Sequence, residues 1–85
     1  MTYRIELRPA AFKGLRKIAP TDRKRIQGVI ALLGQDPRPP VARRLTGRAG
    51  FRVRVGDYRI LYDIHDDVLV IVVVSIGHRR EVYER

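Results

Sequence analysis

The segment Phe51-Arg52-Val53-Arg54-Val55-Gly56-Asp57-Tyr58-Arg59-Ile60-Leu61-Tyr62 constrains this chain more than any other. Apolar and charged residues alternate on both sides of Gly56-Asp57, the pattern of two half-buried strands joined by a tight, Gly-first turn. Such a turn sets the register. Val55 pairs with Tyr58, so Arg54 lies directly opposite Arg59 and Arg52 emerges on the same face. Phe51, Val53, Val55, Tyr58, Ile60 and Tyr62 point the other way, into a core. Like charges facing one another across a ladder destabilise a sheet. Three guanidinium groups on one face therefore call for an anion between them, and arginine engages phosphate bidentately. The competing reading is a solvated hairpin face neutralised by Asp63.

Upstream of this hairpin the period is helical. Tyr3-Arg4-Ile5-Glu6-Leu7 alternates as a strand, and Pro9 suits the first turn of a helix. Phe12, Leu15, Ile18 and Ala19 recur at helical spacing, with Lys13, Arg16 and Lys17 on the wet side. Pro20 is expected to end that helix, and Thr21-Asp22 to cap a second one carrying the stripe Ile26, Val29, Ile30 and Leu33. Residues 9 to about 34 thus read as a helical hairpin. Asp36-Pro37-Arg38-Pro39-Pro40 must be a loop. Val41 to Gly50 is basic and glycine-punctuated, with Leu45 as its anchor to the core. A turn at His65-Asp66-Asp67 leads into Val68–Ile76, apolar on both faces and so a central strand. The expected fold class is α+β: an N-terminal strand, a helical hairpin, then an antiparallel meander with the helices over one face. The second face of the central strand is either a patch awaiting a partner or is covered by residues 36–50.

Composition narrows the function. At 85 residues the chain is expected to form a single domain, residues 1–85, and its 45% apolar content suits a globular one. It has no cysteine and only 2 histidines, which excludes a disulfide framework, a thiol nucleophile and a thiolate metal site, and makes a zinc site an unpromising reading. No cofactor is expected. The apolar run from Val68 to Val74 is far too short to span a membrane, and the N-terminus has no signal-like stretch, so a cytoplasmic protein is expected. The net charge is +9, and 15 of the 18 basic residues are Arg. A high-GC genome would account for that ratio but not for the charge. A domain this basic should attract a polyanion or an acidic protein.

Gly77-His78-Arg79-Arg80-Glu81-Val82-Tyr83 follows the central strand, within reach of the arginine face. An Arg, a phenol and an imidazole there would complete a site for phosphoryl chemistry. Taken singly, His78 reads as a turn residue and Tyr83 as packing at a sheet edge. Their convergence on the arginine face carries the functional reading.

FRVRVGDYRILY followed by GHRREVY resembles the RelE/ParE superfamily of type II toxins, and more closely its RelE branch. The resemblance extends to the opening strand, the helical hairpin, the DPRPP loop and Arg44-Leu45-Thr46-Gly47, and so covers nearly the whole chain. It implies a ribosome-dependent, metal-independent mRNA endoribonuclease, in which a 2′-hydroxyl attacks the adjacent phosphate of the A-site codon to leave a cyclic phosphate and a 5′-hydroxyl. Carried over by position, Arg54, Arg59, Arg79 and Tyr83 would be catalytic. Arg59 and Arg79 would stabilise charge on the phosphorane oxygens, and Tyr83 would transfer a proton or stack on a base. Arg52, Arg44, Arg48, His78 and Arg80 would bind RNA, with Arg52 and Arg54 orienting its backbone. The best-known RelE members have Lys at the positions of Arg52 and Arg54. A guanidinium does not lose its proton, so the general base falls to Tyr83, His78 or Glu81. The chain stops two residues after Tyr83 and is expected to lack the C-terminal helix of some members. The resemblance also implies partners: ribosome and mRNA, and an acidic, RelB-like antitoxin in a heterotetramer or larger complex, with no membrane. Two alternatives stand beside this reading, a ParE-like inhibitor of DNA gyrase and a non-catalytic RNA-binding module of the same fold.

Overall fold

The computed structural model describes residues 2–78, so Arg79, Arg80, Glu81 and Tyr83 lie outside the described residues. Its elements follow in the order β1 (Arg4–Leu7), α1 (Pro9–Arg16), α2 (Pro20–Gln35), β2 (Arg43–Arg44), β3 (Phe51–Val55), β4 (Tyr58–His65) and β5 (Val70–His78). The five strands form one sheet in the order β1-β5-β4-β3-β2. β1 joins β5 in parallel, and the remaining neighbours are antiparallel. The expected α+β architecture is present, and β5 is internal to the sheet.

Both helices start on proline. Pro9 and Pro20 occupy first-turn positions, where a fixed φ suits the helix and a missing N–H leaves no bond unmade. This corrects two expectations. Pro20 opens α2 instead of ending α1, and Ala19, not Thr21-Asp22, stands at its N-cap. Asp22 lies in the first turn, where its charge complements the helix dipole, and approaches Arg25 at 3.6 Å. Between the helices, the Arg23 guanidinium donates to the carbonyls of Arg16 and Ile18 at 3.2 and 2.9 Å. Acceptors left over at the end of α1 are thereby satisfied.

The core lies between the helices and one sheet face. Ala11, Leu15, Ile18, Ile26, Ile30 and Leu33 meet Val53, Val55, Ile60, Tyr62, Ile71, Val73 and Ile76. Phe12 was expected among them but is half exposed at 51%, while Ala11 is fully buried. The reason is Gly14. A Cβ there would collide with the Ile76 carbonyl oxygen, so α1 presses its backbone onto β5 at this point. The face bearing Ala11, Gly14, Leu15 and Ile18 turns inward, and Phe12 is carried to the flank with Arg16 over its ring at 5.9 Å.

Two further expectations shift. β5 begins at Val70, because residues 66–69 form the turn, Val68 is exposed and Leu69 adopts φ 55°. Leu45 is buried but packs with Leu61 on the second sheet face, apart from the main core. That face is thus partly roofed by the segment around Leu45, whereas Val72 and Val74 stay half exposed. A bulge between Leu61 and Tyr62 restores alternation past Val74, so that Tyr62 pairs with Val73 and Leu61 with Ser75. Tyr62 is fully buried, its hydroxyl donates to the Pro37 carbonyl at 2.7 Å, and burial pushes its pKa up to about 12.

An ionic clamp closes the end of the sheet away from the hairpin turn. Asp66 accepts from the Tyr3 hydroxyl and from Arg38, whose Nη2 lies 2.8 Å from Oδ2. These bonds hold the Asp66 carboxyl below its ordinary value, with the Arg38 hydrogen bond the largest cause, and the Asp66 bond raises Tyr3 above its own. A depressed carboxyl stabilises the fold fully above its unfolded pKa, and that contribution is lost as pH falls through the folded one. Raised Tyr3 contributes fully below its unfolded pKa and loses this as pH rises through its folded value. Asp66→Asn is therefore expected to lower the melting temperature modestly at neutral pH. The gap to the parent should close on acidification past the carboxylate range, as checked by thermal unfolding across pH.

Candidate nucleic-acid interface

The hairpin register is the one expected. Val55 pairs with Tyr58, Arg54 with Arg59, Arg52 with Leu61 and Phe51 with Tyr62. Arg52, Arg54 and Arg59 therefore share the sheet face turned away from the helices. Arg54 is exposed, while Arg52 and Arg59 are half-buried with their Nε atoms inaccessible. Their stems lie along the sheet as amphipathic arginines do, presenting the charge at the rim. Across from Arg59 in the other direction stands Gly77, which brings no side chain over it.

A fourth arginine joins this face. Arg43 on β2 pairs with Arg52, and its guanidinium is braced by the carbonyls of Pro40 at 2.7 Å and Ala42 at 3.0 Å. Sequence reasoning missed it because a two-residue strand leaves no alternation to read. The only signal was Leu45, an apolar residue two positions on and therefore on the same face.

Other candidate residues lie elsewhere. Arg44 pairs with Phe51 and so falls on the helix side, its guanidinium 5.7 Å from the Phe51 ring centroid. Arg38 approaches the same ring at 5.7 Å. Arg44 and Arg48 border a cavity of about 780 Å³ beside Phe51, with Asp63 and His65 on its wall. His78 pairs with Tyr58, which packs against the core, so it too leaves the arginine face; its ring meets Tyr58 edge-on at 5.9 Å. The expected convergence is therefore narrower: the face gathers Arg43, Arg52, Arg54 and Arg59, but neither Arg44 nor His78. Arg79, Arg80 and Tyr83 are outside the described residues.

The face is polar in two senses. Asp63 lies on it four residues beyond Arg59, and Glu6, opposite Val72, marks its far side. Gly50 makes the close approach there possible: with φ 116° it places its backbone where a Cβ would stand 2.6 Å from Asp63 Oδ1. These acids are accompanied by cations: Arg4 pairs with Glu6 at 2.8 Å, and Arg48 borders the same cavity as Asp63. Among the described residues no group of three or more histidine or acidic side chains is arranged to hold a metal. No helix among them is long and apolar enough to cross a membrane.

The family described as ParE toxin of the type II toxin–antitoxin system parDE matches residues 5–83. The chain belongs to the RelE/ParE superfamily of type II toxins. It is 30% identical over 88 residues to the mRNA interferase toxin RelE of Escherichia coli, covering 98% of this chain and 92% of that one. Among solved structures, the archaeal RelE–RelB complex of Pyrococcus horikoshii superimposes with a TM-score of 0.79 at 25% identity, covering 96% of this chain and 100% of that chain. The toxin–antitoxin complex RelBE2 of Mycobacterium tuberculosis gives 0.78 at 28% identity, with 93% and 100% covered. This RelE/ParE toxin therefore shares its fold along nearly its whole length with toxins whose structures include an antitoxin.

Proposed function

We propose that the chain is a ribosome-dependent mRNA endoribonuclease that a cognate acidic antitoxin holds inactive. The observation carrying this reading is the pairing of Arg54 with Arg59 beside Arg52 on one sheet face. It supports a phosphodiester seated between guanidinium groups, which bind it bidentately. The 2′-hydroxyl attacks the adjacent phosphorus as its proton is removed. The P–O5′ bond breaks, and the leaving oxygen takes a proton, giving a 2′,3′-cyclic phosphate and a 5′-hydroxyl. Arg59 and Arg79 stabilise the charge that grows on the phosphorane oxygens. Arg52 and Arg54 orient the backbone, with Arg44, Arg48 and Arg80 holding flanking RNA. Guanidinium groups cannot accept the proton, so Tyr83 or Glu81 takes that role. The net charge of +9 and the antitoxin complexes formed by the Pyrococcus and Mycobacterium relatives support an acidic partner.

The fragments made in a translation reaction test the chemistry. They are expected to carry 5′-hydroxyl and 2′,3′-cyclic phosphate ends. Ends bearing 5′-phosphate and 3′-hydroxyl would overturn this mechanism. The ParE description of the matching family favours a second reading, inhibition of DNA gyrase. A supercoiling assay separates the two, and no inhibition is expected.

A further inference from the structure

A recess of about 560 Å³ opens on the helix side of the sheet, at the end where β4 begins and β5 ends. Lys13 and Gly14 of α1, with Lys17 at its C-cap, form one wall, and Tyr58 with Gly77 and His78 forms another. The lysines are four residues apart on the helix, a spacing at which like charges repel. No ion pair of either lysine with an acid is found among the described residues. The helix dipole favours cations in a last turn, but that does not distinguish these two from Arg16, which does not line the recess. The opposite wall is aromatic, with the Tyr58 and His78 rings edge-to-face at 5.9 Å.

We infer that this recess is a second nucleotide subsite, in which Lys13 and Lys17 hold a backbone phosphate and the Tyr58–His78 wall packs against its base. The inference rests on the ribonuclease reading and extends it to the far side of the sheet. Tyr58 and Arg59 are consecutive on β4 and project to opposite sides, and their partners are His78 and Gly77. A strand held at Arg54 and Arg59 therefore reaches the recess by rounding the end of the sheet, past a residue with no side chain. The volume is that of a small-molecule site, and aromatic walls beside cations are how single strands are held without base-specific contacts. An acidic peptide would compete for the same lysines, and its binding is measured beside that of RNA.

The test measures binding of uncleavable 2′-O-methyl RNA by fluorescence anisotropy, with a trinucleotide and a longer oligomer. Lys13→Gln/Lys17→Gln is compared with the parent and with a charge-matched Arg8→Gln/Lys24→Gln control, neither of whose residues lines the recess. The lysine variant should bind the longer oligomer about tenfold more weakly, with a log–log salt slope shallower by about 0.7 for the one phosphate no longer neutralised on a single strand. The trinucleotide should be unaffected, and 2-aminopurine in the flanking position should be quenched by the parent only. Equal losses in the charge-matched control, or no loss in the lysine variant, would overturn the subsite while leaving the ribonuclease reading intact. Weakened antitoxin binding with unchanged RNA binding would assign the recess to the acidic partner and overturn it as well. Failure of the parent to bind or cut RNA at all would remove both readings. Thermal unfolding of each variant confirms that the fold is kept.

Discussion

Arg59→Ala is expected to lower the cleavage rate about 100- to 1,000-fold, corresponding to roughly 2.7–4 kcal/mol of transition-state stabilisation. Arg59 sits at the centre of the cationic face, opposite Arg54 on one side and Gly77 on the other. Its half-buried stem fixes the guanidinium before substrate arrives, and preorganised donors lose most when removed. The same substitution relieves a like-charge pair across the ladder but removes a half-buried stem, so stability should change by no more than about 1 kcal/mol in either direction. Single-turnover cleavage and urea unfolding of one preparation read both quantities. Arg59→Lys keeps the charge but not the two-pronged geometry and should fall between parent and alanine variant. A cleavage loss accompanied by equal destabilisation would make Arg59 structural. A mere binder would instead lose modest affinity with a shallower salt dependence.

Gly14→Ala is expected to destabilise the protein by about 1–3 kcal/mol or more, the cost of overpacking a close-packed core. Glycine to alanine inside a helix ordinarily stabilises by roughly 0.5–1 kcal/mol. The sign reverses because the new methyl group meets the Ile76 carbonyl, a backbone atom in an internal strand that cannot rotate aside. α1 must lift from β5, loosening Ala11, Leu15 and Ile18 together. Gly28 is the internal control. It lies within α2, and a Cβ there meets nothing within 4 Å, so Gly28→Ala should stabilise by the ordinary amount. Denaturant unfolding of the two variants should give opposite signs. Matching signs would show that the α1–β5 contact is not as tight as described.

The hairpin was fully legible from sequence because period and turn specify register together: one alternating pattern and Gly56-Asp57 suffice to set Arg54 against Arg59. The α2 stripe was legible for the same reason, since Ile26, Ile30 and Leu33 repeat without interruption. Phe12 misled because periodicity cannot say which of two adjacent stripes is inward when a close backbone contact at Gly14 decides it. Arg43 and Arg44 could not be assigned to faces from sequence, as their strand is only two residues long and takes its register from β3. His78 was misplaced because sequence shows nearness along the chain, whereas the bulge at Leu61/Tyr62 and the pairing with Tyr58 decide the side of the sheet. The site was thus readable where local rules set geometry and unreadable where tertiary contacts did.

Mapping of cut positions on ribosomes programmed with a defined message tests the account most directly. Purified toxin is added with and without ribosomes, and truncation sites are read by primer extension. Cuts confined to the A-site codon, absent on the same message without ribosomes, are the expected result. Intact message in both reactions, from toxin confirmed to be folded and free of antitoxin, would contradict it.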